Sequence, residues 1–259
     1  MEGDVNAWGM AASGVLVLLA VALSLRNRLG LERSLLWAAV RAAVQLLLVG
    51  VALAAVIDPD RPLILSWLWV VAMVVFAADV ARRRAPEVPG VFLLALAGFA
   101  ATAVVPLGVV FGLGVFPLEG RTLVPVAGLV VGNSMNATVI AARRIVEEVR
   151  ERRLEIEARL ALGLTSRHAA RPYVRRALRT ALSPQIETTK AVGIVFLPGA
   201  MTGLILAGVD PVDAVMVQAV VMYLVLGATA TSTSVLSVGL MHRLFTPDHR
   251  LVRLARPSE

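Results

Sequence analysis

The chain has 259 residues, 58% of them hydrophobic, with a net charge of +7 and no cysteine, and its mean hydropathy is +0.79. That apolar content excludes an ordinary soluble domain, and the missing cysteine excludes disulfides, thiolate chemistry and cysteine-ligated metals. The basic balance reflects membrane topology rather than nucleic-acid binding, because aromatic residues make up only 5% and the arginines gather beside apolar runs.

Seven apolar stretches of span length follow in chain order. The first, about Ala7 to Leu25, follows Met1 to Asn6, which holds Glu2 and Asp4 and no Lys or Arg. Without the basic n-region of a signal peptide it reads as a retained first helix. Arg26, Arg28 and Arg33 come next, then span two from about Leu35 to Ile57, ending in the turn-rich Asp58-Pro59-Asp60-Arg61-Pro62. Span three covers about Leu63 to Ala81 and stops at Arg82-Arg83-Arg84; span four covers about Gly90 to Phe116, with Pro106 expected to kink it. Span five is about Thr122 to Ala142. A long polar segment from Arg143 to about Thr189 precedes span six, about Ala191 to Gly208, which Pro198-Gly199 interrupts. Span seven runs from about Ala214 to Met241, and a basic tail follows from His242 to Glu259.

The arginines sort by side. The first and second basic loops hold three each, the long polar segment and its flank hold twelve basic residues, and the tail holds four; the opposite side has only Arg61 and Arg121. Lys/Arg-rich short loops stay in the cytoplasm. The expectation is an all-α, polytopic transmembrane helical bundle with its N-terminus outside and its C-terminus cytoplasmic. It is a single membrane domain over 1–259 with one cytoplasmic segment, 143–189.

Within that segment, Leu154, Glu157, Ala158, Ala161 and Leu162 follow helical spacing, so a charged amphipathic helix is expected to continue span five. Gly163 is its expected C-terminal stop. Thr165 or Ser166 is placed to cap a second, basic helix with Arg167, Arg171, Arg175, Arg176 and Arg179. Pro172 is expected to bend that helix, and Ser183-Pro184 to start the helix that enters span six. Two readings of the segment stand. One is a solvated hairpin drawn to anionic lipid headgroups; the other is a docking element for a cytoplasmic partner.

The run Glu157-Ala158-Arg159-Leu160-Ala161-Leu162-Gly163 resembles the Glu-Ala loop of ABC-transporter permeases, in which a Gly follows six residues after the Glu. A wider set is more specific: Gly132-Asn133-Ser134-Met135-Asn136-Ala137-Thr138, then Ala161 to Thr165, then Lys190 to Ile205 and Ala207 to Pro211, with Arg41 to Gln45 in span two. In that order, over essentially the whole chain, these motifs resemble the FetB-type permease family, bacterial ABC permeases assigned to iron export, with plant relatives tied to aluminium tolerance. The resemblance implies a permease subunit, a homodimer, in the cell membrane, paired with a separate ATPase. It marks Glu157, Ala158, Gly163, Thr165 and Arg167 as the coupling residues. The residues agree on one point independently. The sole Lys, Lys190, stands between Thr189 and Ala191, so no Gly-Lys-Ser/Thr phosphate loop exists and ATP would be used on another polypeptide. No cofactor is expected on this chain.

Polar residues inside the spans are candidates for a transport path, because ionisable and amide groups are costly in lipid. Arg41, with Gln45 one turn on, either snorkels to the headgroups, pairs structurally, or faces a path; Asp79 is a candidate partner. Asn133 and Asn136 share a face, with Ser134, Met135 and Thr138 nearby, and either serve a path or bond between helices. Pro198 and Met201 mark a candidate broken helix in span six. Thr229, Thr233 and Ser237 read as packing groups. The glycine pairs Gly108/Gly112, Gly128/Gly132 and Gly199/Gly203 read as close-packing sites. The residues themselves identify no metal site. His168, His242 and His249 are all expected in the cytoplasm, and Met73, Met135, Met201, Met216 and Met222 are more often packing groups than sulfur donors. A non-transporting membrane scaffold or regulator, and a permease for a different small solute, are the alternatives. An intramembrane enzyme lacks any nucleophile or metal motif.

Overall fold

The computed structural model describes residues 7–58, 60–194 and 197–252. The leader Met1 to Asn6, the end of the basic tail and the Val195-Phe196 step of span six lie outside the described residues. The chain divides into two units, residues 1–58 and 59–259.

In the first unit α1 (Ala7–Arg26) and α2 (Glu32–Val56) pack against each other. Their link turns through positive φ at Arg28 (54°) and Gly30 (68°). Ser24 fastens it: its hydroxyl donates to Glu32 Oε1 at 2.8 Å and accepts the Leu31 N–H at 3.3 Å. Ser24 is buried, whereas α2 has no buried residue. An apolar helix that buries none of its side chains fully suits lipid or a partner surface, not water.

The second unit holds α3 (Leu63–Arg84), α4 (Val91–Gly112), α5 (Gly120–Glu151), α6 (Arg153–Ala161), α7 (Ser166–Ala191), α8 (Gly199–Leu206) and α9 (Pro211–Leu244). α5 is central, touching α3, α4, α7 and α9. It buries Leu123, Val130, Ile145 and Val149 along one side. The core also takes Phe99 and Leu107 from α4 and Leu236, Leu240 and Leu244 from α9. Apart from an antiparallel bridge between Phe245 and Leu251, the regular structure among the described residues is helical.

Five helices are long and apolar enough to cross a membrane: α2, α3, α4, α5 and α9. The expected first span corresponds to α1, whose apolar part Ala12–Arg26 is shorter. The expected sixth span is not one helix, because α7 ends at Ala191 and α8 covers only Gly199–Leu206. Gly193 at φ +90° and the missing N–H of Pro198 account for the break.

Two expectations about the polar segment need correction. Ser183-Pro184 starts no new helix; α7 runs from Ser166 to Ala191 through Pro172 and Pro184. Its stripe Ala169, Ala170, Tyr173, Ala177 and Ala181 is buried against α5, and that packing outweighs the lost backbone bonds. The charged continuation of span five is real, but it breaks once: α5 ends at Glu151 and α6 starts at Arg153.

Candidate transport path and coupling site

Arg41 and Gln45 lie one turn apart on α2, and both are exposed within their unit. Asp79, the candidate partner for Arg41, is engaged on its own helix. Arg82 Nη2 is 2.6 Å from one carboxylate oxygen, and Arg83 Nη2 is 2.7 Å from the other.

The polar run of α5 splits by face. Ser134 and Thr138 are buried and belong to a seam with α9. Thr138 Oγ1 and Ser232 Oγ are hydrogen-bonded at 2.9 Å, and Thr138 also bonds the Ser134 carbonyl at 2.8 Å. Thr229 and Thr233 donate back to carbonyls of their own helix, at 2.6 and 2.8 Å. Every one of these hydroxyls is thus satisfied by protein, which is the packing arrangement for a polar group in lipid. Asn133 and Asn136 point the other way and are exposed. Asn133 Nδ2 donates to the Leu129 carbonyl at 2.7 Å, and Asn136 Oδ1 accepts from Arg84 Nη1 at 2.9 Å. A few residues further along, Arg143 Nε donates to Glu87 Oε1 at 2.7 Å. The face carrying Asn133, Asn136 and Arg84 is therefore polar and open, and it is where a solute or another surface can meet this bundle. Met135 is half-buried against the core, Pro198 is buried as the residue before α8, and Met201 is half-buried on α8.

The three glycine pairs, expected to allow close packing in the bundle or in a dimer seam, make no tight approach within this chain. A Cβ on Gly108, Gly112, Gly132, Gly199 or Gly203 would meet nothing within 4 Å, and one on Gly128 would only touch Met73. The tight approach is between α4 and α9. A Cβ on Gly98 would lie 3.0 Å from the Ser232 carbonyl oxygen, and one on Gly239 would lie 2.5 Å from Leu94 Cδ2. Thr102 donates to the Ala228 carbonyl at 3.2 Å one turn further along. Gly98 and Thr102 are four residues apart, and that spacing was the available signal.

The coupling candidates come together at the tip between α6 and α7. α6 ends in a Schellman turn. Gly163 has φ +88°, its N–H reaches the Leu160 carbonyl at 2.9 Å, and the Leu164 N–H reaches the Arg159 carbonyl at 3.2 Å. Ile156, fully buried, anchors α6. Leu154 and Leu162 are each 80% exposed, and Ala158 is exposed beside them. Glu157 accepts from Arg153 Nε at 2.7 Å. Thr165 stands at the N-cap of α7, but its hydroxyl meets His168 Nδ1 at 2.9 Å instead of capping the helix. Arg167 is exposed.

Two contacts that sequence reasoning missed brace this tip. Tyr173 Oη donates to Glu155 Oε2 at 2.8 Å, and Arg152 Nη1 donates to Glu155 Oε1 at 2.8 Å. The Tyr173 hydroxyl and Arg152 together hold the Glu155 carboxyl below the usual carboxylate range. Burial, and then the bond to Glu155, push the Tyr173 phenol up. The second brace is Ser166 Oγ, 2.5 Å from His249 Nδ1, which ties the start of α7 to the turn after α9. Among the described residues no three His, Asp or Glu side chains converge where they could hold a metal ion.

The profile of the family described as "Uncharacterised protein family (UPF0014)" matches residues 7–245. The rice protein named UPF0014 membrane protein STAR2 is 40% identical over 225 residues, covering 86% of this chain and 78% of its own length. The Bacillus subtilis UPF0014 membrane protein YjkA is 33% identical over 237 residues, covering 92% and 94%. The Escherichia coli protein named "Probable iron export permease protein FetB" is 30% identical over 243 residues, covering 94% and 93%. No solved structure gives a significant match.

Proposed function

The chain belongs to the uncharacterised protein family UPF0014, and from that premise we propose that it is the membrane-spanning permease subunit of an ABC transporter. It crosses the cell membrane seven times, with α1 and the α7–α8 region supplying the two spans beyond the five long apolar helices. The N-terminus is outside and the C-terminus cytoplasmic, as the sorting of arginines requires. A homodimer of this chain is driven by two copies of a separate ATPase, which alone uses ATP. The cargo class is iron or another metal-related solute. That choice is supported by the printed name of the E. coli relative and by no residue of this chain.

One observation carries the partner reading. At the tip between α6 and α7, Leu154 and Leu162 are each 80% exposed on one face of α6, just before the glycine turn at Gly163. Apolar side chains held out in water at the end of a braced hairpin are what a docking knob needs. Their position coincides with the Glu157–Gly163 run. The open face of Asn133, Asn136 and Arg84 is the favoured stretch of path wall.

Reconstitution tests the whole reading. The chain purified from its own cells in mild detergent is expected to bring a nucleotide-binding subunit with it. Vesicles holding both are expected to move ferrous iron, or a competing solute, only with ATP. A chain that purifies alone and gives no ATP-dependent flux with any solute would establish the alternative, a non-transporting membrane scaffold.

A further inference from the structure

The side of α7 away from the core is an arginine ladder. Arg167, Arg171, Arg175 and Arg179 recur every four residues and all are exposed. Each stands two positions before a buried residue of the stripe Ala169, Tyr173, Ala177 and Ala181, so each points about 200° away from it. None of the four takes part in the ion pairs formed among the described residues, although neighbouring arginines do. Arg176 faces Glu148 at 3.5 Å, Arg152 faces Glu155 at 2.8 Å, and Arg153 faces Glu157 at 2.7 Å.

The direction of the ladder decides what it binds. The Arg176–Glu148 pair and the Tyr173–Glu155 bond set α7 antiparallel to α5 and α6. Arg82 to Arg84 at the end of α3, with Arg143 and Arg144 on α5, mark the headgroup level. Counting along α5 and α6 from there, Arg179 lies about 2 Å below that level, Arg175 about 8 Å, Arg171 about 14 Å and Arg167 about 20 Å. With α5 taken as a span along the membrane normal, the ladder stands along that normal instead of lying flat. With a screening length of about 8 Å at physiological salt, a lipid surface reaches the first two rungs and not the last two. A second copy of this chain is a poor complement as well. Glu147, Glu148, Glu155 and Glu157 already face Arg144, Arg176, Arg152 and Arg153.

We infer that the Arg167–Arg171–Arg175–Arg179 ladder is a second docking surface, beside the tip at Gly163, for a cytoplasmic protein that presents an acidic face along the stalk. Guanidinium groups at helical spacing match a row of carboxylates by paired hydrogen bonds. The Leu154/Leu162 knob supplies apolar burial, and the ladder fixes the angle at which the partner stands. This assignment builds on the permease reading, in which that protein is the ATPase.

Site-specific photo-crosslinking in cells tests it. The exposed Pro172, between two rungs, is replaced by benzoylphenylalanine, and adduct peptides are identified by mass spectrometry. The expected adduct joins a cytoplasmic protein through a segment rich in Asp or Glu. Its yield is expected to fall at least tenfold with Arg171→Glu/Arg175→Glu and several-fold with the milder Arg171→Gln/Arg175→Gln, in chains that still insert in the membrane. Adducts only to lipid, only to a second copy, or unchanged by charge reversal would overturn the inference, as would no adduct at all. Identity of the partner separates the two claims. An acidic partner without a nucleotide site upholds the ladder and sinks the ATPase reading. A co-purifying ATPase that never crosslinks here does the reverse.

Discussion

Replacing Gly163 is the most informative single perturbation. Its φ of +88° is a conformation that a side chain with a Cβ reaches only at a cost of about 1–2 kcal/mol. A Cβ there would meet nothing within 4 Å, so the cost is purely one of backbone shape. If docking requires the Schellman turn that presents Leu154 and Leu162, Gly163→Ala lowers the ratio of docking-competent to other tips by about 5–30-fold. Affinity for the co-purified ATPase subunit is expected to fall by up to that factor, read by titration of the chain in nanodiscs. Gly163→Asn should lose less, because Asn tolerates the left-handed region. Gly203→Ala, also with open space and without positive φ, should lose nothing. Equal affinity for Gly163→Ala and the unmodified chain, with insertion intact, would refute the claim that the turn's shape is what the partner reads.

Three further outcomes follow from the packing. Gly98→Ala would bring a Cβ to 3.0 Å from the Ser232 backbone, so thermal unfolding in detergent should show about 1–3 kcal/mol of destabilisation, against none for Gly108→Ala. Thr138→Val removes the bond to Ser232 and should cost roughly 0.6 kcal/mol while leaving flux intact; a stable protein with abolished flux would move Thr138 from the packing seam to the path. The Glu155 brace should be pH-dependent in one direction. Its carboxyl is held below its ordinary range, so the brace is intact above the unfolded carboxylate pKa and is lost as pH falls through the lowered folded value. Amide exchange in α6 should rise in that acid window and not between pH 6 and 8, and Glu155→Gln should flatten the response.

The all-helical, many-span character was the part most legible from residues, because long apolar runs bounded by charge are what a bilayer imposes. The stop at Gly163 was legible, since glycine reaches without a Cβ penalty the left-handed conformation that ends a helix in a Schellman turn. Ser183-Pro184 misled. It read as the start of a new helix in a local view, but the alanine stripe of α7 packs on α5, a contact no local rule contains. The glycine pairs were less legible for a related reason: a spacing of four places two residues on one face without saying which way the face turns. Gly108 and Gly112 face outward, and the glycines that do permit contact meet groups far along the chain: Gly98 the Ser232 backbone, and Gly239 the Leu94 side chain. Among the path candidates the helical period correctly put Asn133 and Asn136 together. It was silent on Arg84, which reaches Asn136 from another helix.

The length of α5 has a mechanical consequence. Its 32 residues make one unbroken rod of about 48 Å, against a hydrocarbon layer of about 30 Å, so roughly 18 Å overhangs as a handle. If the rod pivots near Arg143, about 12 Å of it lies on the handle side and about 34 Å on the other, so a sideways push of about 2 Å on the handle swings the far end by about 6 Å. Under the permease reading, a lever of that ratio would let a small stroke on the handle be felt, enlarged, at the opposite end of α5 without bending the helix.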